Sequence, residues 1–291
     1  MKNVHETAKI GKNVIIECNN FTVGKNSIIK DGCIIRCNNF ITGEGLYMCE
    51  GVEVGRGGCF GPNSNVYIGN NVGIFENTII NPSDEVHIGD NVGIGGDVMI
   101  WTHGAWLDVL KGFPADFGPV KIGNDVWLPA RCIVLPNVDI GDNAVIGIGS
   151  IINRNIPSGC FAAGSPCKVI KEECYPRELS QEQKQGIVGE ILSDWYKLHD
   201  SKGINHVVFT ENDGEQIILT QEDNSTIYDL EKRTISGYTN KVSEDLRDYL
   251  RRRGIKIFTD IGFSSIRPGG KDCGCHSKEP KDIDFNSSGD I

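Results

Sequence analysis

No stretch of the chain is apolar over the length that a membrane-spanning helix needs, so none is expected. The opening residues, Met1-Lys-Asn-Val-His-Glu, lack the charged, apolar and small-residue regions of a secretion signal. Basic residues are also in short supply. Lys and Arg number 29 against 39 Asp and Glu, a formal net charge of −10. The pI lies near 5.1. Such a chain lacks the basic footprint of a general nucleic-acid binder, although a local basic pocket for a phosphorylated ligand stays open. Cysteine is plentiful, at 11, but the number is odd and no secretion signal accompanies it. Reduced thiols in a cytoplasmic protein are therefore expected. Cys18, Cys33, Cys37, Cys49, Cys59 and Cys132 read as small packing residues. Cys273-Gly-Cys275-His276 could clip a metal, but no second ligand cluster lies nearby. Residues 268–291 read as a tail without ordered structure, and no metal is expected.

What the chain does have is a period. From Val120 to Ile152 an apolar residue falls at every sixth position: Ile122, Leu128, Val134, Ile140, Ile146 and Ile152. The position after each is mostly small or turn-forming: Gly123, Pro129, Gly141, Gly147, Asn153. Six is neither the 3.6 of a helix nor the 2 of an ordinary strand. It suits a parallel β-helix, in which short straight runs are joined by turns and each coil stacks on the last. The apolar residue then points inward, and the small residue after it is expected to let the chain bend.

The register runs upstream with slips, through Ile10, Ile16, Val23, Ile29, Ile35 and Ile41, then Val54 and Phe60. It continues through Ile68, Ile74, Ile80, Ile88, Ile94 and Ile100. Val66–Ile74 and Val86–Ile94 nearly duplicate each other twenty residues apart. A coil of three hexads has eighteen, so a two-residue bulge is expected near Asn81-Pro82-Ser83-Asp84. Such a bulge is either a tolerated surface insertion or a substrate-facing departure from the scaffold. The widest break lies between Ile100 and Ile122 and reads as four residues beyond one coil.

The repeats end near Ile156-Pro157, and Phe161–Ile170 reads as an extended closing segment. Residues 1–175 are taken as one domain and 176–202 as a helical linker. Ser180 and Gln183 form a capping-box pattern. Ile187, Ile191, Trp195 and Leu198 follow on one helical face, expected to cover the open prism end or a neighbouring subunit. Residues 203–267 read as a small α+β appendage of roughly 70 residues without a functional motif. It should hold strands near Val207, Gln216 and Ser225, a helix over Val242–Arg253 capped by Ser243, and a strand over Ile255–Thr259.

The excursion after Ile100 carries His103 among two Trp and two Phe, a natural wall for a binding cleft. A neutral imidazole there can take a proton from a hydroxyl or amine. The bland alternative is a loop histidine bonded to backbone. His87, between Val86 and Ile88, should face outward.

Four segments together resemble the closing half of the hexapeptide-repeat acyltransferases, above all the maltose and galactoside O-acetyltransferase group. They are Met99-Ile-Trp-Thr-His103, Ile122-Gly-Asn-Asp-Val-Trp127, Ile146-Gly-Ile-Gly-Ser-Ile151 and Gly164-Ser-Pro-Cys-Lys-Val-Ile170. The specific match covers about 70 residues, and a looser one covers most of 1–170. Three departures stand out. Gly104 follows the His where the family has Pro, Leu128-Pro129 replaces Ile-Gly, and the family's N-terminal helical cap has no counterpart.

The resemblance implies a left-handed parallel β-helix, a homotrimer, and acetyl transfer from acetyl-CoA to a sugar hydroxyl of a surface polysaccharide or glycolipid precursor. N-acetylation of an amino sugar nucleotide is the neighbouring alternative. It makes His103 the general base. Trp127 walls the cofactor groove, and Ala130 and Ile148 place backbone groups against the pantetheine arm. Asn153 and Arg154 fall at a CoA-contacting pair. Lys168 and Lys171 lie near its phosphates, unless they are simply a solvated face. Asn77, Asn81 and Asp84 fall in the acceptor-side stretch, where the bulge blurs the alignment. Two other classes share the repeat. A γ-carbonic-anhydrase-like zinc enzyme needs a third histidine placed beside His87 and His103, and His5 is far upstream. A non-catalytic β-helix needs no cofactor groove.

Overall fold

The computed structural model describes residues 2–57, 59, 61–204, 208–269 and 271–272. The chain divides into two compact units between Arg177 and Glu178.

In the first unit each hexad makes one short strand. Val120–Ile122, Trp127–Leu128 and Ile133–Val134 form three runs of a coil. Each pairs in parallel with the strand eighteen residues on: Val120 with Val138, Trp127 with Val145, Ile133 with Ile151. Hexads between Val120 and Ile152 bury two side chains each, as in Val126 with Leu128, Cys132 with Val134, and Ala144 with Ile146. A fully buried aliphatic side chain contributes roughly 1.5–3 kcal/mol, so the stacked coils share one continuous core. In the nine-residue strand Ile34–Thr42 the expected inward residue shifts, whereas in Ile15–Val23 the expected Val23 is buried. Phe40 is buried and Ile41 faces out, because a straight strand alternates its faces. Phe60 lies outside the described residues.

The bends are not where the small residues suggested. Left-handed backbone falls three positions after each inward residue, at Asp125, Arg131, Asn137, Asn143 and Gly149. Gly123 has another reason to be glycine: a Cβ there would run into the Asp142 carboxylate of the next coil. That carboxylate accepts the Asn124 N–H at 2.6 Å. In the same way Asn124 accepts from Asp90 N–H at 2.8 Å, and Asp90 from Asn70 N–H at 2.6 Å. The Ile-Gly-Asn/Asp repeat is thus a stacking device. Glycine lets the coils approach, and the acid or amide satisfies a backbone donor of the coil before.

Three irregular segments interrupt the coils, and all fall at one corner. They connect Glu53–Val54 to Asn65–Ile68, Ile79–Asn81 to Val86–Ile88, and Met99–Trp101 to Val120–Ile122. The three leaving strands pair with one another, as do the three arriving strands. The last segment is larger than expected. Ile88 pairs with Ile122, thirty-four residues on, so the loop adds sixteen residues to a regular coil rather than four. The hexad after Ile100 is displaced to 120–122, and the intervening chain leaves the prism altogether.

In the second unit, α1 (Gln181–Tyr196) starts at a Ser180–Gln183 capping box. Its buried residues Val188, Ile191, Leu192 and Trp195 pack within this unit, and Ile187 is exposed, so the helix expected as a linker is part of the second core. After α2 (His199–Lys202) comes an antiparallel meander of Val208–Asn212, Gln216–Gln221, Asn224–Asp229 and Thr234–Gly237. Asn240, not Ser243, caps α3 (Lys241–Arg252), with Ser243 as the reciprocal partner. Buried Asp245 accepts from Trp195 Nε1 at 2.8 Å, from Lys202 Nζ and from Ile266 N–H. Ile255–Thr259 is not a strand. The Arg247 guanidinium takes the carbonyls of Ile257, Ile261 and Gly262 instead, which satisfies that backbone without a ladder. Cys273, Cys275 and His276 lie outside the described residues.

Candidate active site

The common corner brings together side chains from three successive coils. His103 opens the long loop and pairs in antiparallel fashion with Phe117, which closes it. Asn137, at a left-handed corner of the next coil, pins the returning strand by donating to Asp116 Oδ1 (2.9 Å) and to the Phe117 carbonyl (3.0 Å). Gly118 N–H reaches the Thr102 carbonyl at 3.0 Å. His103 therefore sits at the rigid base of the loop. Phe117 stacks on its ring at 5.9 Å between centroids, and Trp101 meets it edge-on at 6.0 Å. The loop tip is different: it holds a 3-10 turn, Val109–Lys111, and leaves Trp106 and the turn's own Leu110 more than 90% exposed.

Beneath His103 lies the bulge of the preceding coil. Ser83 Oγ is 2.9 Å from His103 Nδ1. Ser83 Oγ–H in turn donates to Asn81 Oδ1 at 3.4 Å. Cys59, from the coil before that, donates its thiol to the same oxygen at 3.2 Å. Thr102 Oγ1–H donates to the Asn81 carbonyl at 2.8 Å and accepts the Asp84 N–H at 2.9 Å. The Asp84 carboxylate accepts the Glu85 N–H. Glu85 is bonded to His87 Nε2 at 3.0 Å and to Asn65 Nδ2 at 3.1 Å. These two bonds, His87's first, hold its carboxyl below the usual range. His87 faces out and stacks on Tyr67. Among the described residues no three His, Cys, Asp or Glu side chains converge as metal ligands would.

The residues expected on the acceptor side separate. Asn81 is buried and reaches His103 through Ser83, while Asp84 is half-buried in the bulge. Asn77 sits at the corner on the other side of Ile79–Asn81, in left-handed backbone, with its amide on Asp97. Ser83 and Cys59 were not singled out for chemistry. The bulge marked Ser83's neighbourhood, whereas nothing distinguished Cys59 from the other packing cysteines.

The residues expected on the cofactor side lie on the outer surface. Trp127, 57% exposed, pairs with Val145, which pairs with Phe161, which pairs with Lys171. One outward row thus runs from an aromatic ring to a cation. Lys168 is exposed opposite Ala163. Ala130 and Ile148 stand at stacked corners, since Gly149 N–H donates to the Ala130 carbonyl at 3.1 Å. Ile148 is 73% exposed. Asn153 and Arg154 are exposed together at the following corner. An exposed aromatic beside apolar corners and cations fits a long ligand with an apolar arm and phosphates.

Residues 119–154 match the family model for the bacterial transferase hexapeptide (six repeats). A Saccharomyces cerevisiae protein, provisionally named an acetyltransferase, is 44% identical over 112 residues, 38% of this chain and 57% of that protein. The Escherichia coli K12 galactoside O-acetyltransferase is 52% identical over 54 residues, 19% of this chain and 27% of that protein. A solved structure of galactoside acetyltransferase in complex with coenzyme A shares 36% identity, over 45% of this chain and 64% of that one, with a TM-score of 0.40. The chain spans between about a quarter and just over half of the curated relatives it matches. Over these stretches it is similar to the hexapeptide-repeat acyltransferases, the galactoside O-acetyltransferases among them.

Proposed function

We infer that the protein is an acetyl-CoA-dependent O-acetyltransferase acting on a sugar hydroxyl, in a surface polysaccharide or glycolipid precursor. The observation that carries this reading is the single corner at which three interrupted coils converge on His103, beside the coil that presents Trp127. A prism needs no such convergence for its own stability, and the regular corners at 135–137 and 153–155 manage without one.

Bound acetyl-CoA supplies the activated acetyl group. His103 accepts the proton of the acceptor hydroxyl as that oxygen attacks the thioester carbonyl. A backbone N–H stabilises the oxyanion. His103 then returns the proton to the departing thiolate, so the products are acetyl ester and CoA thiol. Trp127, Ala130 and Ile148 line the cofactor groove, with Asn153, Arg154, Lys168 and Lys171 toward its phosphates. Asp84 and Asn77 remain the acceptor-side candidates. The β-helix, left-handed by its resemblance to the family, carries an exposed groove that encloses a ligand on one side only, which supports a trimer with its sites at the seams. The free thiols among the described residues suit a reducing cytoplasm.

The test is an acceptor screen read by release of the CoA thiol from acetyl-CoA. It should cover sugars, glycolipid precursors and amino sugar nucleotides. Acceptor-dependent release with a hydroxyl acceptor is the expected result. Release confined to amino sugars would move the assignment to N-acetylation. Stoichiometric zinc in the purified protein, without CoA binding, would contradict it.

A further inference from the structure

The hydrogen bonds beneath His103 bear on which imidazole nitrogen carries the proton. A serine hydroxyl offers one donor and two acceptor sites. Asn81 Oδ1 can only accept, so its 3.4 Å contact with Ser83 Oγ takes the Ser83 proton, as its 3.2 Å contact takes the Cys59 thiol proton. Cys59 Sγ also lies 4.0 Å from Ser83 Oγ. Ser83 Oγ is left to accept from the imidazole nitrogen 2.9 Å away, which is Nδ1. With the Ser83 proton directed to Asn81, Nδ1 carries the ring proton and Nε2 the lone pair. We propose that Ser83 is a positioning residue which holds His103 in the Nδ1–H tautomer, with Asn81 and Cys59 setting the sense of the chain.

The proposal rests on His103 being the base, and it adds which nitrogen acts and what orients it. The partner bonded to one ring nitrogen decides which nitrogen is available for chemistry. Here that partner is a neutral hydroxyl rather than a carboxylate. The nearby carboxylates are engaged elsewhere: Asp84 with the Glu85 N–H, and Glu85 with His87 and Asn65. The ring plane is fixed independently by Phe117 and Trp101. Asn81 and Ser83 come from the bulge, so the two extra residues of that coil would be what brings a hydroxyl under the imidazole.

Nitrogen-15 NMR of the full-length protein, with histidine labelled and the His103 signals assigned by their loss in His103→Ala, reads the tautomer directly. Spectra are taken at alkaline pH, where the imidazole is neutral. The wild-type ring should be protonated at Nδ1. Ser83→Ala should shift it toward Nε2–H, and Ser83→Thr, which keeps the hydroxyl, should restore Nδ1–H. In the transfer assay Ser83→Ala should lower kcat about tenfold, the scale of one hydrogen bond, with acceptor KM and acetyl-CoA affinity unchanged. Ser83→Thr should recover most of that loss. An Nε2–H ring in the wild-type protein overturns the proposal whatever the acceptor is. So does a Ser83→Ala variant that folds and leaves the tautomer unchanged. Undiminished transfer by His103→Ala, beside a wild-type ring protonated at Nδ1, would leave the bond to Ser83 standing and overturn only the role of His103 as base.

Discussion

Cys18 and Cys37 stack on neighbouring coils with sulfurs 3.7 Å apart, yet they differ as acids. The hydrogen bond between them lowers the Cys18 thiol, while the same bond and burial push Cys37 far up. Burial also raises Cys33, Cys49, Cys59, Cys132 and Cys167. The thiolate is the nucleophile, so iodoacetamide at mildly alkaline pH should label Cys18 before any of these. Mass mapping of the native protein checks this, and early labelling at Cys132 would contradict the buried core. Reading all six as packing residues from the sequence was sound for the buried thiols, but it could not single out Cys18. That difference needs the register which sets Cys18 opposite Cys37.

At the scale of elements, the hexad spacing made the stacked coils legible because an inward residue must recur once per side. The cause of the glycines was not legible. Their φ angles are ordinary at Gly123 and Gly141, and only the next coil explains them. Gly123→Ala should therefore cost about 1–3 kcal/mol by overpacking against Asp142, whereas Gly149→Asn should be tolerated in its left-handed corner. Urea unfolding of the two variants compares them, and equal midpoints would contradict the stacking account. The sixteen-residue loop was undercounted because a sequence shows only where the register is lost. It does not show at which coil side the register resumes.

In the second unit the Ser180–Gln183 spacing marked the start of α1, but its partner surface lies in residues far along the chain. His199 packs edge-on against Trp195, and its buried Nε2 has no hydrogen-bond partner among the described residues. Burial pushes its pKa down, against an opposing pull from Asp245, with Lys202 and Asp200 also nearby. A histidine with a depressed native pKa takes up its proton more readily in the unfolded chain. The unit should therefore lose stability as pH falls below about 6.5, and the loss should level off once pH passes the native pKa. His199→Phe should flatten that dependence in thermal melts between pH 7 and 5. An unchanged slope would contradict it.

For the whole molecule, composition excluded classes and the repeat predicted the scaffold, but neither placed the chemistry. Cys59, Ser83 and His103 are spread over forty-five positions and meet only because their three coils break at one corner. Assembly belongs to the same scale. Exposed Trp127, Ile148 and Ile170 need a covering surface if they line a seam. Light scattering should give about three times the 31.9 kDa of one chain. A monomer active at every dilution would contradict a shared site.

The most direct test of the central claim compares His103→Ala with His87→Ala. His103 is the proposed base, whereas His87 sits outward on the Tyr67 ring with Glu85. Turnover is measured by CoA release with the acceptor saturating, and acetyl-CoA binding by calorimetry. Loss of a general base costs roughly 100- to 10,000-fold. The account predicts that loss for His103→Ala with acetyl-CoA affinity unchanged, and a much smaller loss for His87→Ala. Near-normal turnover by a folded His103→Ala protein would contradict it.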